Sequence, residues 1–333
     1  MEKKINVVTG ATGRLGFCLV NELKARGEYV RALIHTDDDV ADKLRALADE
    51  AVTGDVRDPA SLLEAFKGAD KVYHMAGIVT IETKITKELR DVNIGGVKNV
   101  IDACLQNKVR RLIHCASLHA VHFSNNTDML RELPYYEPDK LKGAYAISKA
   151  HGANMVLDAV RQQGLDAVIG MPAGILGPFE YRVSNLGQLV IDISEGKLPV
   201  YIPGRYNYVD VRDVANGFID LSEKGVKGES YLLTGHIMET KEMVEIMAKY
   251  AGTKPPRVCL PMWLVGLFAP IAEYVYIKRG KRPLFTPYSL KVLRDNCNFS
   301  YEKAAAAIGY NPRSLEESIA DEVAFFKKER GKA

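Results

Sequence analysis

Cysteine is scarce and follows no motif: Cys18, Cys104, Cys115, Cys259 and Cys297 are scattered over 333 residues with no C-x-x-C pair and no zinc-ligand spacing. That pattern excludes a disulfide-stapled scaffold and a structural metal site, and it predicts reduced thiols in a cytoplasmic protein. An excess of either charge is also missing. Against 45 Lys and Arg stand 42 Asp and Glu, a net charge of +3 with no basic stripe. Neither nucleic acid nor an anionic membrane is expected as a partner. A membrane span needs about 20 consecutive apolar residues. The most apolar stretch, Leu260 to Ile277, is shorter and is broken by Pro270 and Glu273, so no integral span is expected. A helix covering a ligand site, or a dimer or membrane-surface contact, is the reading that remains for it. No signal peptide is expected, because the first hydrophobic residues are needed for a strand. Repeats and low-complexity tracts are absent, and the length allows a large core with two lobes.

What is present begins with glycine. Thr9-Gly10-Ala11-Thr12-Gly13-Arg14-Leu15-Gly16 follows a strand-like run, Lys3 to Val8, and precedes a helical pattern, Phe17 to Gly27, that ends in glycine. A strand, a tight glycine turn and a helix N-terminus together make a cradle for a dinucleotide pyrophosphate. Gly10, Thr12, Gly13, Arg14, Leu15 and Gly16 are its candidate residues. Further strands are expected at Tyr29–Ile34, Lys71–Ala76 and Arg111–Ala116, with helices between them such as Val92 to Gln106. This alternation predicts an α/β fold, a Rossmann-type doubly wound parallel sheet, with ligands outside the carboxyl ends of its strands. Asp55, Val56, Ala76, Gly77 and Ser117 fall there.

The second pattern is Tyr145-Ala146-Ile147-Ser148-Lys149. Residues four apart share a helix face, so the lysine ammonium can stand beside the phenol. A phenol titrates near pH 10 when free, and a neighbouring cation lowers that value toward the range where it can exchange a proton. Tyrosine then moves a proton while a nicotinamide moves a hydride.

In this order, the glycine loop, Gly54-Asp55-Val56-Arg57-Asp58, His74-Met75-Ala76-Gly77, Val92-Asn93, Ser117, Tyr145 with Lys149, Pro172 to Pro178 and Val209 to Ala215 resemble the extended short-chain dehydrogenase/reductase family. The likeness continues through Phe299-Ser300 and Gly309 to Pro312, and lies nearest the dihydroflavonol-reductase and 3β-hydroxysteroid-dehydrogenase branch. The resemblance implies Tyr145 as acid or base, Lys149 as its electrostatic partner and ribose ligand, Ser117 as ligand of the substrate oxygen and Asn93 as support for the proton path. It also implies Asp55 and Val56 as adenine contacts and Pro172, Gly174 and Ile175 as part of the nicotinamide pocket. Met171 departs from the arginine many relatives carry there, which reads as altered packing. By the same analogy, the helices from Val92 and Ala144 would build a homodimer.

Cofactor choice turns on the end of the second strand, where Ile34 and His35 replace the acidic residue that favours NAD and the arginine that favours NADP. Arg14 and Arg31 could assist a 2′-phosphate, whereas Asp37 to Asp39 would oppose it. The expectation is NADP, with NAD as the other choice. Residues 1–175, with 208–234 returning, are expected to form the nucleotide-binding domain, and 176–207 with 235–333 a smaller, mostly helical substrate lobe. The function expected is oxidoreduction of a carbonyl or secondary alcohol in a small apolar substrate. A sugar-nucleotide epimerase using Arg182, Asn185 and Arg205 is the alternative, and a non-catalytic nucleotide sensor a third. His119 and His122, just past Ser117, could touch substrate but are read first as loop residues, and Asn99 and Asn107 as serving only their helix.

Overall fold

The computed structural model describes residues 4–35, 40–122, 128–278 and 286–331. Its strands, in chain order, are β1 Ile5–Thr9, β2 Tyr29–Ile34, β3 Glu50–Thr53, β4 Ala69–His74, β5 Arg111–Cys115, β6 Ala167–Pro172, β7 Gly174–Leu176, β8 Val200–Tyr201, β9 Arg205–Asp210, β10 Ser230–Leu233, β11 His236–Glu239 and β12 Val258–Cys259. The helices are α1 Arg14–Ala25, α2 Ala41–Leu47, α3 Pro59–Ala65, α4 Lys87–Arg90, α5 Gly96–Gln106, α6 Ala144–Gln163, α7 Asn185–Ser194, α8 Val211–Lys224, α9 Thr240–Ala251, α10 Met262–Lys278, α11 Pro287–Val292, α12 Glu302–Ile308 and α13 Leu315–Glu329.

Seven strands form one parallel sheet in the order β10-β6-β5-β4-β1-β2-β3. Apolar runs such as Val7-Val8, Val72-Tyr73 and Val168-Ile169 are completely or almost completely buried, as expected for strands covered on both faces. The coverage can be read from register. His114 pairs with Ile169 and Cys115 with Gly170; His114 approaches Gly152 of α6, and the Gly170 backbone lies against the Phe218 ring of α8. Since neighbouring residues point to opposite faces, α6 and α8 cover opposite sides of the sheet. The strand order reverses between β1 and β4, which places a ligand crevice at their carboxyl ends.

The second lobe gathers β7, β9 and β11 into a small sheet, and α7, α9 and α13 around a separate core of Leu176, Val190, Met243, Met247, Ile319 and Val323. Within 208–234, α8 packs on α1 and β10 extends the large sheet, while β9 stays in the small one. A third cluster, Val265, Ala269 and Leu290, holds α10 and α11 together. The outer face of α10 exposes Trp263, Leu267, Phe268, Ile271 and Tyr274. Among the described residues no helix is long and apolar enough to cross a membrane, and all five cysteines are free thiols.

Candidate active site

The loop after β1 is shaped by close backbone approach. Gly10 has φ +65, and a Cβ there would stand 2.5 Å from the Ala76 nitrogen; one at Gly16 would overlap the Gly10 carbonyl oxygen. Glycine is therefore required at both. Thr12 and Leu15 are buried beneath the loop. Gly13 caps α1 without a side-chain hydrogen bond, and the first turn holds no acidic residue. The positive end of α1 is thus left open at the switch point, a fit for a pyrophosphate.

Behind the loop, the ends of β4 and β5 and the start of α6 converge. Lys149 is buried and its Nζ donates to the Cys115 carbonyl at 2.8 Å. Gly77 faces it: a Cβ there would be 3.1 Å from Lys149 Nζ and 3.4 Å from Asn93 Oδ1. Asn93 lies in a π-helical turn, Asp91–Gly95, between α4 and α5. Its amide accepts from the Ile78 nitrogen at 2.8 Å and donates to the Ile78 carbonyl at 2.9 Å and to Ser148 Oγ at 3.0 Å. Ser148 Oγ in turn donates to the Tyr145 carbonyl at 2.8 Å. Asn93 therefore ties the loop after β4 to the helix carrying Tyr145 and Lys149. Ser117 caps a short 3₁₀ turn by accepting from the His119 nitrogen, and its hydroxyl acts on that of Tyr145.

The electrostatics differ from the sequence expectation. Burial raises the Tyr145 hydroxyl above its ordinary value, and the Ser117 hydroxyl only partly opposes this. Lys149 does not offset the burial, because its Nζ lies 5.9 Å from the Tyr145 ring centre and is aimed at Cys115. Burial lowers the Lys149 ammonium.

The residues expected to read a 2′-phosphate are placed otherwise. Arg14 does not face a phosphate with a free guanidinium. It pairs with Glu180 at 3.0 Å and Glu322 at 2.6 Å, and donates to the carbonyls of Ile175 and Gly177. Arg31 pairs with Glu50 and donates to the Ala65 and Lys67 carbonyls. The expectation of NADP loses both its cations to carboxylates. His35 is half exposed and 3.3 Å from Asp55. Asp55 is held down at about 2, chiefly by the forked hydrogen bond from Arg57. Asp37 to Asp39 lie outside the described residues. Val56 is buried, and its carbonyl accepts from Asn99 at 2.9 Å. Asn99, and Asn107 bonding the Leu63 carbonyl at 3.1 Å, thus reach beyond their helix rather than serving it alone. Pro172 ends β6, and Gly174 gives room for the Tyr206 and Tyr208 rings, each 2.9 Å from where its Cβ would be. Buried Met171 receives the Tyr136 hydroxyl at 3.0 Å.

One group does more than its first reading as a loop residue allows. His119 is no simple loop residue: its Nε2 is 2.7 Å from the Tyr206 hydroxyl and its Nδ1 3.2 Å from that of Tyr288. Its ring meets Tyr145 edge-on at 6.0 Å and stacks on Tyr206 at 5.7 Å. The sequence signal was the pair of aromatic contributors on β9 and α11, which only the fold brings together.

The family model described as "NAD dependent epimerase/dehydratase family" matches residues 6–234. The chain is 34% identical over 329 residues to "Sterol demethylase protein B" of Methylococcus capsulatus, covering 98% of each. It is 27% identical to a "Putative dihydroflavonol 4-reductase" of Synechocystis, covering 96% of this chain and 94% of that one. The crystal structure of gox2253 superposes with a TM-score of 0.86 at 28% identity over 99% of both chains. With its open helix end, glycine cradle and reversed strand order, the chain belongs to the NAD-dependent epimerase/dehydratase family, within the extended short-chain dehydrogenases/reductases.

Proposed function

We propose that this chain is an NAD-linked dehydrogenase/reductase that interconverts a carbonyl and a secondary alcohol on a small, largely apolar substrate. The observation that carries the reading is the wall beside Tyr145, where His119, Tyr206 and Tyr288 bring aromatic surface and no cation. An aromatic wall of this kind suits an apolar substrate body better than a charged sugar nucleotide. NAD is preferred because Arg14 and Arg31 are committed to carboxylates.

When bound, the nicotinamide supplies or accepts the hydride. Gly10, Gly13 and the open end of α1 hold its pyrophosphate, and Lys149, with two of its three N–H donors beyond the Cys115 bond, binds the ribose hydroxyls. In the reductive direction Tyr145 gives its proton to the substrate oxygen, while Ser117 hydrogen-bonds that oxygen and stabilises the charge developing on it. Asn93 keeps Gly77 and the start of α6 in register with Lys149. The packed pair α5 and α6 serves as the face of a homodimer, which sedimentation tests.

The decisive experiment follows NADH oxidation against panels of ketones, aldehydes and sugar nucleotides. Net oxidation with an apolar ketone or aldehyde supports the reading. Conversion of a sugar nucleotide without net redox change replaces it with an epimerase. Tyr145→Phe should lower kcat by about 10²–10⁴-fold while NADH still binds, and unchanged turnover would remove Tyr145 from the reaction.

A further inference from the structure

Resting on the dehydrogenase/reductase reading, we propose that His119, Tyr206 and Tyr288 form an oxygen-recognising subsite beside Tyr145, and that the substrate is a hydroxyketone, or in the other direction a diol, carrying a second hydroxyl a few bonds from the reacting carbon. The argument starts from proton counting. A neutral imidazole has one N–H and one bare nitrogen, and burial holds His119 down at about 4, so it is neutral near pH 7. Both nitrogens are taken, by the Tyr206 hydroxyl at 2.7 Å and the Tyr288 hydroxyl at 3.2 Å. One phenol must donate to the bare nitrogen. The other receives the N–H and keeps its own proton to give elsewhere. Whichever tautomer holds, the pair presents one free O–H donor and one oxygen with lone pairs to spare.

These groups are positioned to use that capacity. His119, Tyr145, Tyr206 and Tyr288 are all half-buried, so none is sealed in the core. Tyr288 packs over Gly143, two residues before Tyr145, where no Cβ could fit beneath its ring. Three segments far apart in the chain thus meet at the proposed proton donor. A hydroxyl accepts from one phenol and donates to the other at once; a carbonyl, ether or carboxylate oxygen can only accept, and leaves one partner unmatched.

The test uses sets of matched ketones that differ only by a hydroxyl on the first, second or third carbon from the carbonyl, assayed with NADH, together with the methoxy analogues. For the unaltered protein the hydroxyketone of at least one set should exceed its deoxy compound in kcat/KM by about 10–10²-fold, with the methoxy compound near the deoxy one, because a site built to bind a hydroxyl rejects its absence. Tyr206→Phe and Tyr288→Phe should each shrink that ratio several-fold, mainly through KM. His119→Gln, which keeps one donor and one acceptor, should retain more of it than His119→Phe. NADH titration reports whether each variant is folded. A ratio near one in every set for the unaltered protein, or one that neither phenylalanine variant moves, overturns the subsite and leaves the reductase reading standing. Failure to oxidise NADH with any ketone overturns that reading and the subsite with it.

Discussion

Two cations are withdrawn from solvent near the nucleotide loop, and they are treated in opposite ways. Arg14, with 12% of its side chain exposed, is met by two carboxylates and two carbonyls. Lys149, with 6% of the residue exposed, is met by a single carbonyl, and among the described residues no carboxylate pairs with it. Arg14 joins α1 to the segment after β7 and to α13, so its charge is spent on holding the lobes together. Lys149 bears the cost of burial without compensation, and its ammonium is lowered for that reason. A buried charge neutralised by opposite charges reads as architecture, whereas one left without a counter-ion reads as a site awaiting a ligand.

The contrast can be broken from either side. The largest effect should come from Lys149→Met, with kcat reduced by about 10²–10⁴-fold in the NADH assay. Arg14→Met should instead lower stability by about 3–5 kcal/mol, because two buried carboxylates lose their counter-ion; urea unfolding measures it, and a change below 1 kcal/mol would remove the seam. Adding Glu322→Gln to Arg14→Met should restore part of that loss. Lys149→Met should itself raise stability, by about 0.5–2 kcal/mol, as functional residues often cost stability. A clear loss would mean that Lys149 is structural.

The smallest effect is in pH dependence. Burial, reinforced by Glu180, raises the Glu322 carboxyl above its ordinary value, with Arg14 opposing. A raised acid binds more protons folded than unfolded, so its contribution is fully present below the unfolded value, near 4.3, and is lost as pH rises toward the folded one. Melting temperatures measured from pH 4.5 to 7 should therefore carry a downward component that Glu322→Gln removes.

Much of this was legible in advance. The glycine loop, the large sheet and the convergence of Ser117, Tyr145 and Lys149 follow from local patterns, each written within a few residues. Arg14 was misjudged because the sequence shows a guanidinium in a phosphate-binding loop but hides Glu180 and Glu322, which arrive from distant segments. His119 was read first as a loop residue for the same reason, its partners lying 87 and 169 residues away. Helical spacing brings Lys149 to the face of Tyr145, but it does not fix the rotamer, and the Cys115 carbonyl takes the ammonium that was expected to lower Tyr145.

The turn at Asp91–Gly95 closes with Gly96 N–H donating to the Asp91 carbonyl, five residues back instead of four. In a regular helix each residue advances about 100°, so this surplus residue acts as a phase shifter. The apolar stripe of α5 is not the continuation of that of α4, and a helical wheel drawn through both assigns the wrong face to one of them. Deleting a single residue here would let the two helices fuse into one regular rod, and would turn Asn93 away from Ile78 and Ser148 by more than a quarter of a circle. Such a chain would keep its helix and lose the alignment between the loop after β4 and α6, which makes the irregularity, not the helix, the element that specifies the site.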